Sequence, residues 1–363
     1  MAQRSISQFL DEDEHVRERP PARPSRLSQD RKTHESKAAE DKHPTTLGGA
    51  TYYRPTGEAV DEVVRDFHEA IVREPDGAVA VAAIKALTGV LKRSTATTMM
   101  GVQKELNDAA ASLQKCNETA ISLKAGCELF LRYATRTTAQ DLEDFAAAKA
   151  RIIERGDHFA QTSTRARQTI AELGARFVRP GFVVLVHGHS RVVLALLRHA
   201  ASQGIHFSVA VTEGGRDNTG VHMARELEKL KIPIVFILDS AIAYALEALK
   251  VNMVLTGAEG VVESGGVINK LGTYTIALAA KALSVPYYVA AESYKFARLY
   301  PLGQSDVPVE RRKVDMGPLM PSSVRVENPS RDYTPPKYIS LLFTDLGVLT
   351  PAAVSDELIQ LMA

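Results

Sequence analysis

The chain has no tryptophan, only two cysteines, and a net charge of just +1 over 363 residues, from 44 Lys+Arg against 43 Asp+Glu. Each shortage excludes something. Cys116 and Cys127 lack Cys-x-x-Cys spacing, which argues against a disulfide framework or a cysteine zinc site and suits a reducing compartment. A charge this balanced gives no bulk electrostatic ground for binding nucleic acid or an acidic membrane. No apolar run approaches the roughly 18 residues needed to cross a bilayer. The N-terminus turns acidic at Asp11-Glu12-Asp13-Glu14, where a secretory leader needs its apolar stretch. What remains, 45% hydrophobic and 24% charged residues, is enough for a sizeable core and points to a cytoplasmic protein.

Residues 1–50 stand apart. They hold nine basic and nine acidic residues, twelve apolar ones, and three prolines (Pro20, Pro21, Pro24) close together. Such a stretch cannot bury enough apolar surface to offset its ordering entropy, so a disordered tail is expected. Within it, Gln3-Arg4-Ser5-Ile6-Ser7-Gln8-Phe9-Leu10 loosely matches a sliding-clamp-binding peptide without its second aromatic, and reads as tail composition. From 51 to 175 the pattern is helical: apolar residues recur at helical spacing over 78–91, 97–113, 125–135 and 142–173, the last as one or two long helices. From 176 to 363 short apolar runs (182–186, 207–211, 234–238, 253–256, 287–290) alternate with helical stretches (191–202, 220–230, 241–249, 272–283). That alternation predicts an α/β fold, a helical N-terminal domain followed by a Rossmann-like parallel sheet. A polar loop is expected over 305–331, with apolar patterning returning at 339–343 and 352–361.

Ligands of an open parallel sheet bind beyond the carboxyl ends of its strands. Those ends carry His187-Gly188-His189-Ser190-Arg191, then Thr212 to Gly220, then Asp239-Ser240, then Gly257-Ala258-Glu259-Gly260. Helix-starting amides and a lysine suit a phosphorylated small molecule. The candidate binding residues are Ser190, Arg191, Thr219, Gly220, Glu259, Asn269, Lys270, Gly272 and Thr273, holding a sugar phosphate or nucleotide monophosphate, with no cofactor required. No GxxxxGK[ST] and no GxGxxG follows the first strand, which argues against a P-loop ATPase and a common NAD enzyme. His187 and His189, two apart and without a placed carboxylate or thiolate partner, read as a polar loop rather than a metal site. Glu259 could serve as a general acid or base beside a sugar, or cap a helix or pair with Lys270. Cys127, in an apolar helical stretch, reads as a buried inert thiol.

Longer motifs add a resemblance. Gly257-Ala258-Glu259-Gly260-Val261-Val262-Glu263, Asn269-Lys270-Leu271-Gly272-Thr273-Tyr274, the run from Val285 to Phe296, Cys127-Glu128-Leu129-Phe130-Leu131-Arg132, and the run from Leu342 to Pro351 together resemble the alpha subunits of eukaryotic translation initiation factor 2B. The resemblance covers roughly residues 60–361. It implies a regulatory, non-catalytic subunit that forms a homodimer through the C-terminal domain; the apolar run 339–343 and the following 346–351 are the candidate elements near that interface. It also implies assembly with beta, gamma, delta and epsilon subunits into an exchange factor, in which epsilon carries the chemistry. The helical domain would sense initiation factor 2 phosphorylated on its alpha subunit. Isomerases of methylthioribose 1-phosphate and ribose 1,5-bisphosphate are similar in the same motifs and use a Cys in Thr-His-Cys-Asn and an Asp in Gly-Ala-Asp. Here those positions hold Gly188 and Glu259. Gly188 has no side chain to act as acid, base or nucleophile, so isomerase activity is not expected.

Overall fold

The computed structural model describes residues 43–47, 50–54, 62–74, 77–117, 120–140, 145–215, 218–309, 321 and 323–362. The tail before residue 43 and the peptide at 3–10 lie outside them. Strand β1 (His43–Leu47) pairs antiparallel with β2 (Ala50–Arg54), His43 opposite Arg54 and Leu47 opposite Ala50. Ordered strand within 43–47 corrects the expected boundary at residue 50. The signal was local: Gly48-Gly49 separates Thr45-Thr46-Leu47 from Thr51-Tyr52-Tyr53, a two-residue hairpin pattern that the average composition of the tail conceals.

Five helices follow: α1 (Glu62–Arg73), α2 (Val79–Arg93), α3 (Met99–Cys116), α4 (Ile121–Gln140) and α5 (Phe145–Ala175). Helix α2 is the hub, with Ala80, Ala83, Ile84, Ala86, Leu87 and Leu91 essentially unexposed. Its alanines admit close neighbours: a methyl placed on Gly126 of α4 would lie 2.8 Å from Ala80 Cα. Cys127 is buried in this core, and burial pushes its thiol up to about 12, as expected of an inert cysteine. Helix α5 is a single helix of 31 residues. Ile152 near its start belongs to the helical core, while Ile170, Ala171 and Ala175 at its end belong to the core under the sheet. The halves expected as 51–175 and 176–363 thus share a helix, and residues His43–Ala363 form one compact unit.

The strands beyond are β3 (Val183–His187), β4 (Ser208–Thr212), β5 (Ile234–Ile237), β6 (Met253–Gly257), β7 (Gly260–Val262), β8 (Val267–Lys270), β9 (Tyr287–Ala290), β10 (Phe296–Ala297), β11 (Arg331–Thr334), β12 (Leu341–Thr344) and β13 (Gly347–Leu349). Seven form one sheet in the order β13-β12-β9-β6-β3-β4-β5, parallel except for β13. Helices α6 (Arg191–Ser202), α7 (Thr219–Lys229), α8 (Ile242–Ala248) and α9 (Thr273–Ala282) connect them, and α10 (Val354–Met362) follows β13. The chain runs outward from β3 to β5 and then returns to β6 on the other side of β3. The order therefore reverses between β3 and β6, with Val186 level with Leu255. Among the described residues no helix is long and apolar enough to cross a membrane.

Two expectations change here. A second sheet, β10-β7-β8-β11, packs Val262, Ile268 and Tyr333 on Ile121 and Ala125 of α4. Its strands are too short to show a period, and the polar loop expected to reach 331 ends in β11, which begins at Arg331. Most apolar residues of the candidate interface run 339–343 are core: Ile339, Leu342 and Phe343 are buried, the last two in a strand flanked by β9 and β13, while Ser340 is exposed. Apolarity alone could not separate a surface contact from an interior strand.

Candidate functional site

The site is built where the sheet order reverses, at the carboxyl ends of β3 and β6. His187 ends β3 with its ring buried and both nitrogens engaged: Nδ1 lies 2.7 Å from Thr212 Oγ1 and Nε2 lies 2.9 Å from the Leu271 carbonyl. A ring so held ties β3, β4 and the start of α9 together. Among the described residues no cluster of three or more metal-ligating side chains occurs.

Gly188 follows in the left-handed region, at φ +58°. A methyl placed on it would lie 2.8 Å from Thr219 Oγ1 and 3.2 Å from Lys270 Cδ. Its own Cα would be 2.8 Å from a methyl on Gly214. The floor of the cleft is therefore backbone, with the lysine stem lying over the place where a side chain would stand. Ser190 caps α6, its Oγ accepting from Val193 N at 3.5 Å. It also fills the space beside Gly257, where a methyl would come within 2.4 Å of that hydroxyl.

Two pairs of amides that could cradle an anion already hold carboxylates of the chain itself. Gly214 and Gly215 donate to Asp239 at 3.1 and 2.7 Å, and both glycines have positive φ, forming a nest. At the start of α9, Gly272 N and Tyr274 N donate to Asp332 Oδ2 at 2.8 and 3.0 Å. Asp332 is buried, and burial pushes its carboxyl up to about 7 despite those amides. The sequence shows Asp239 only as a residue after a strand. Asp332 gives no signal at all, because β11 brings it across the small sheet from sixty residues beyond Gly272.

The predicted binding residues separate accordingly. Thr219 and Lys270 converge on Gly188. Asn269 donates to Thr273 Oγ1 at 3.1 Å, and Thr273 Oγ1 donates to the Lys270 carbonyl at 2.7 Å, so this pair shapes the β8–α9 turn. Gly220 is a packing glycine: a methyl there would lie 1.9 Å from the Thr212 carbonyl oxygen. Arg191, expected to face the anion, donates to the Gly77 carbonyl at the entry to α2. Glu259 forms an ion pair with the buried Arg331, a partner that sequence reasoning missed. Thr219 and Lys270 thus crowd the Gly188 backbone and Ser190 packs on Gly257, while Asn269, Gly220, Gly272 and Thr273 shape the turns around them.

Residues 72–351 match the Initiation factor 2 subunit family. The chain is 45% identical to "Translation initiation factor eIF2B subunit alpha" of Dictyostelium discoideum over 312 residues, 83% of this chain and 97% of that one. It is 33% identical to "Ribose 1,5-bisphosphate isomerase" of Pyrococcus furiosus over 288 residues, 78% of this chain and 88% of that protein. Among solved structures, the Pyrococcus horikoshii translation initiation factor eIF-2B superposes with a TM-score of 0.64 at 27% identity, covering 80% of this chain and 98% of the other. The solved structure therefore shares the fold of this chain. The chain belongs to the Initiation factor 2 subunit family.

Proposed function

We propose that this protein is a cytoplasmic regulatory subunit of the guanine-nucleotide exchange factor for translation initiation factor 2, and that it does not isomerise sugar phosphates. The observation that carries the reading is Gly188. At the position where the similar isomerases resemble one another in having Cys there is no side chain, and Lys270 and Thr219 crowd the space one would need. The carboxylate at Glu259 is committed to Arg331. Its partners on this reading are beta, gamma, delta and epsilon subunits and initiation factor 2 phosphorylated on its alpha subunit, without direct nucleic-acid or membrane contact. The 45% identity to a protein named as an alpha subunit supports this over the isomerase reading. Nucleotide exchange by reconstituted complex, with and without this chain, is the test. Phosphorylated initiation factor 2 is expected to inhibit exchange more strongly when the chain is present, and equal inhibition would refute the assignment.

A homodimer is part of the same proposal, and an exposed apolar edge of the sheet supports it. Among the described residues strand β5 ends the sheet with one side unpaired, and around it Val235, Phe236, Leu238 and Tyr244 are exposed, the last at 74%. An unprotected edge of this kind is a liability for a solitary chain. A two-fold pairing of like patches would cover it twice over. Phe236→Asp is expected to convert a dimer to a monomer in light scattering at micromolar concentration, with its circular dichroism unchanged. A variant that stays dimeric would place the interface elsewhere.

The cleft is proposed to hold a sugar phosphate or nucleotide monophosphate without turning it over, anchored by Lys270 and the amides around Gly188. Calorimetry with a panel of sugar monophosphates should detect binding, and Lys270→Ala should weaken it by about 1–3 kcal/mol, the scale of one charge-assisted contact. Absence of binding across the panel would leave Asp239 and Asp332 as the only anions these loops serve.

A further inference from the structure

Along β11, Asp332 and Thr334 alternate with Arg331 and Tyr333, so the two pairs lie on opposite faces of the strand. Arg331 and Tyr333 turn to Glu259 and Ser264, while Asp332 turns to the start of α9. Asp332 is 6% exposed, and its two oxygens differ in their surroundings. Oδ2 accepts from both Gly272 N and Tyr274 N, whereas Oδ1 is buried without a hydrogen-bond partner among the described residues. The side chains packed about it carry no compensating cation. They are Asn269, opposite it on β8, Tyr274 of α9, hydrogen-bonded to Tyr338, and Tyr287 of β9, 2.8 Å from Thr256 Oγ1 and pushed up by burial. Lys337 lies over the Tyr338 ring, 5.0 Å from its centroid. An ionised Asp332 would leave a charged oxygen in a dry site with no donor, so the folded chain favours a proton on Oδ1. Burial accordingly pushes the carboxyl up to about 7. The turn that supplies its two amides also borders the cleft: a methyl on Gly272 would lie 3.0 Å from His187 Cε1, and the stem of Lys270 covers Gly188.

We propose that anion binding beside Lys270 is coupled to proton uptake at Asp332 across the turn that starts α9. The coupling rests on the reading of the cleft as a phosphate site and adds a regulation to it. A bound anion and an ionised Asp332 are like charges on either side of one turn of backbone, and each disfavours the other. At an effective dielectric constant of about 20, a negative charge about 10 Å away changes the proton affinity of such a carboxyl roughly tenfold. The effect is reciprocal: the ligand draws a proton onto Asp332, and a proton on Asp332 tightens the ligand. Binding therefore weakens as pH rises through 7. The second ionisation of the phosphate itself acts in the opposite sense, because the dianion is the better ligand for a lysine.

Calorimetry of the full chain with ribose 5-phosphate, in two buffers of different ionisation enthalpy at neutral pH, counts the protons taken up on binding. The wild type should take up about 0.4 proton per ligand more than Asp332→Asn, the step from half to nine-tenths protonated that a tenfold gain produces. Between pH 6 and 8 its affinity should fall about fivefold more than that of the variant. Contributions of the phosphate and of the histidines cancel in the difference. Equal uptake and equal pH dependence in the two proteins, with binding intact, would overturn the coupling and leave the cleft reading standing. No binding by the wild type would overturn both. Should Asp332→Asn fail to fold or to bind, infrared difference spectra of the wild type decide. The band of a protonated carboxyl should grow when ribose 5-phosphate binds at neutral pH, and an unchanged carboxyl region refutes the proposal.

Discussion

Gly188→Cys is expected to leave the protein without isomerase activity towards ribose 1,5-bisphosphate and to cost stability. The position has φ +58°, a conformation that costs a residue with a Cβ about 1–2 kcal/mol. The new Cβ would meet Thr219 Oγ1 at 2.8 Å and Lys270 Cδ at 3.2 Å, both tighter than ordinary contact. Both neighbours are side chains and can yield, so overpacking should add about 1 kcal/mol. The sum, about 2–3 kcal/mol, should lower the melting temperature by roughly 5 °C in a chain of this size. Turnover should not appear, because a thiol forced into this space displaces Lys270, and the carboxylate at the second position, Glu259, remains tied to Arg331. An assay that finds product from Gly188→Cys at unchanged melting temperature would mean that the cleft had kept the room and geometry of an enzyme.

Asp332→Asn should flatten the dependence of stability on pH between 5 and 8. The carboxyl titrates near 7 in the folded protein, raised by burial from an ordinary value of 3.8. Between those values the folded chain holds a proton that the unfolded chain has released. Stability therefore falls as pH rises through the window, and the loss is complete above pH 7. At about 1.4 kcal/mol per unit, the wild type should lose roughly 2–3 kcal/mol between pH 5 and pH 8 on this account. Asparagine keeps an oxygen for the Gly272 and Tyr274 amides but has no proton to exchange. Urea unfolding at the two pH values gives the comparison, and contributions from histidines cancel between the proteins. If wild type and variant lose equal stability, Asp332 is ionised throughout and the capped start of α9 is an ordinary charged cap.

The helices and the central strands were legible because their signals are local and repeated. Residues 191–202 read as a helix and are one, and 287–290 read as a strand and are one. An apolar run bounded by Gly, Pro or polar residues needs no distant partner to declare itself. Gly188 was equally legible, since the absence of a side chain is visible in the sequence. The order of the sheet, and hence the reversal between β3 and β6, was not legible, because alternation of strands with helices implies a parallel sheet without saying which strands lie side by side.

What the sequence by itself determined, then, was the fold class, the family and the absence of a side chain at residue 188. Tertiary structure alone decided what each polar side chain does. Arg191 could as well have faced a phosphate, but the helical layer places the Gly77 carbonyl within its reach. Glu259 could have paired with Lys270, but the short strand β11 delivers Arg331 to it instead. Asp239 and Asp332 fill amide cradles that local pattern would assign to a ligand, and Glu292 finds Arg167 on a helix more than a hundred residues earlier in the chain. Helix and strand propensity act over a few neighbouring residues. A charged group brought out of water must instead find its partner among whatever the completed fold places within about 4 Å, and no sequence interval encodes that distance.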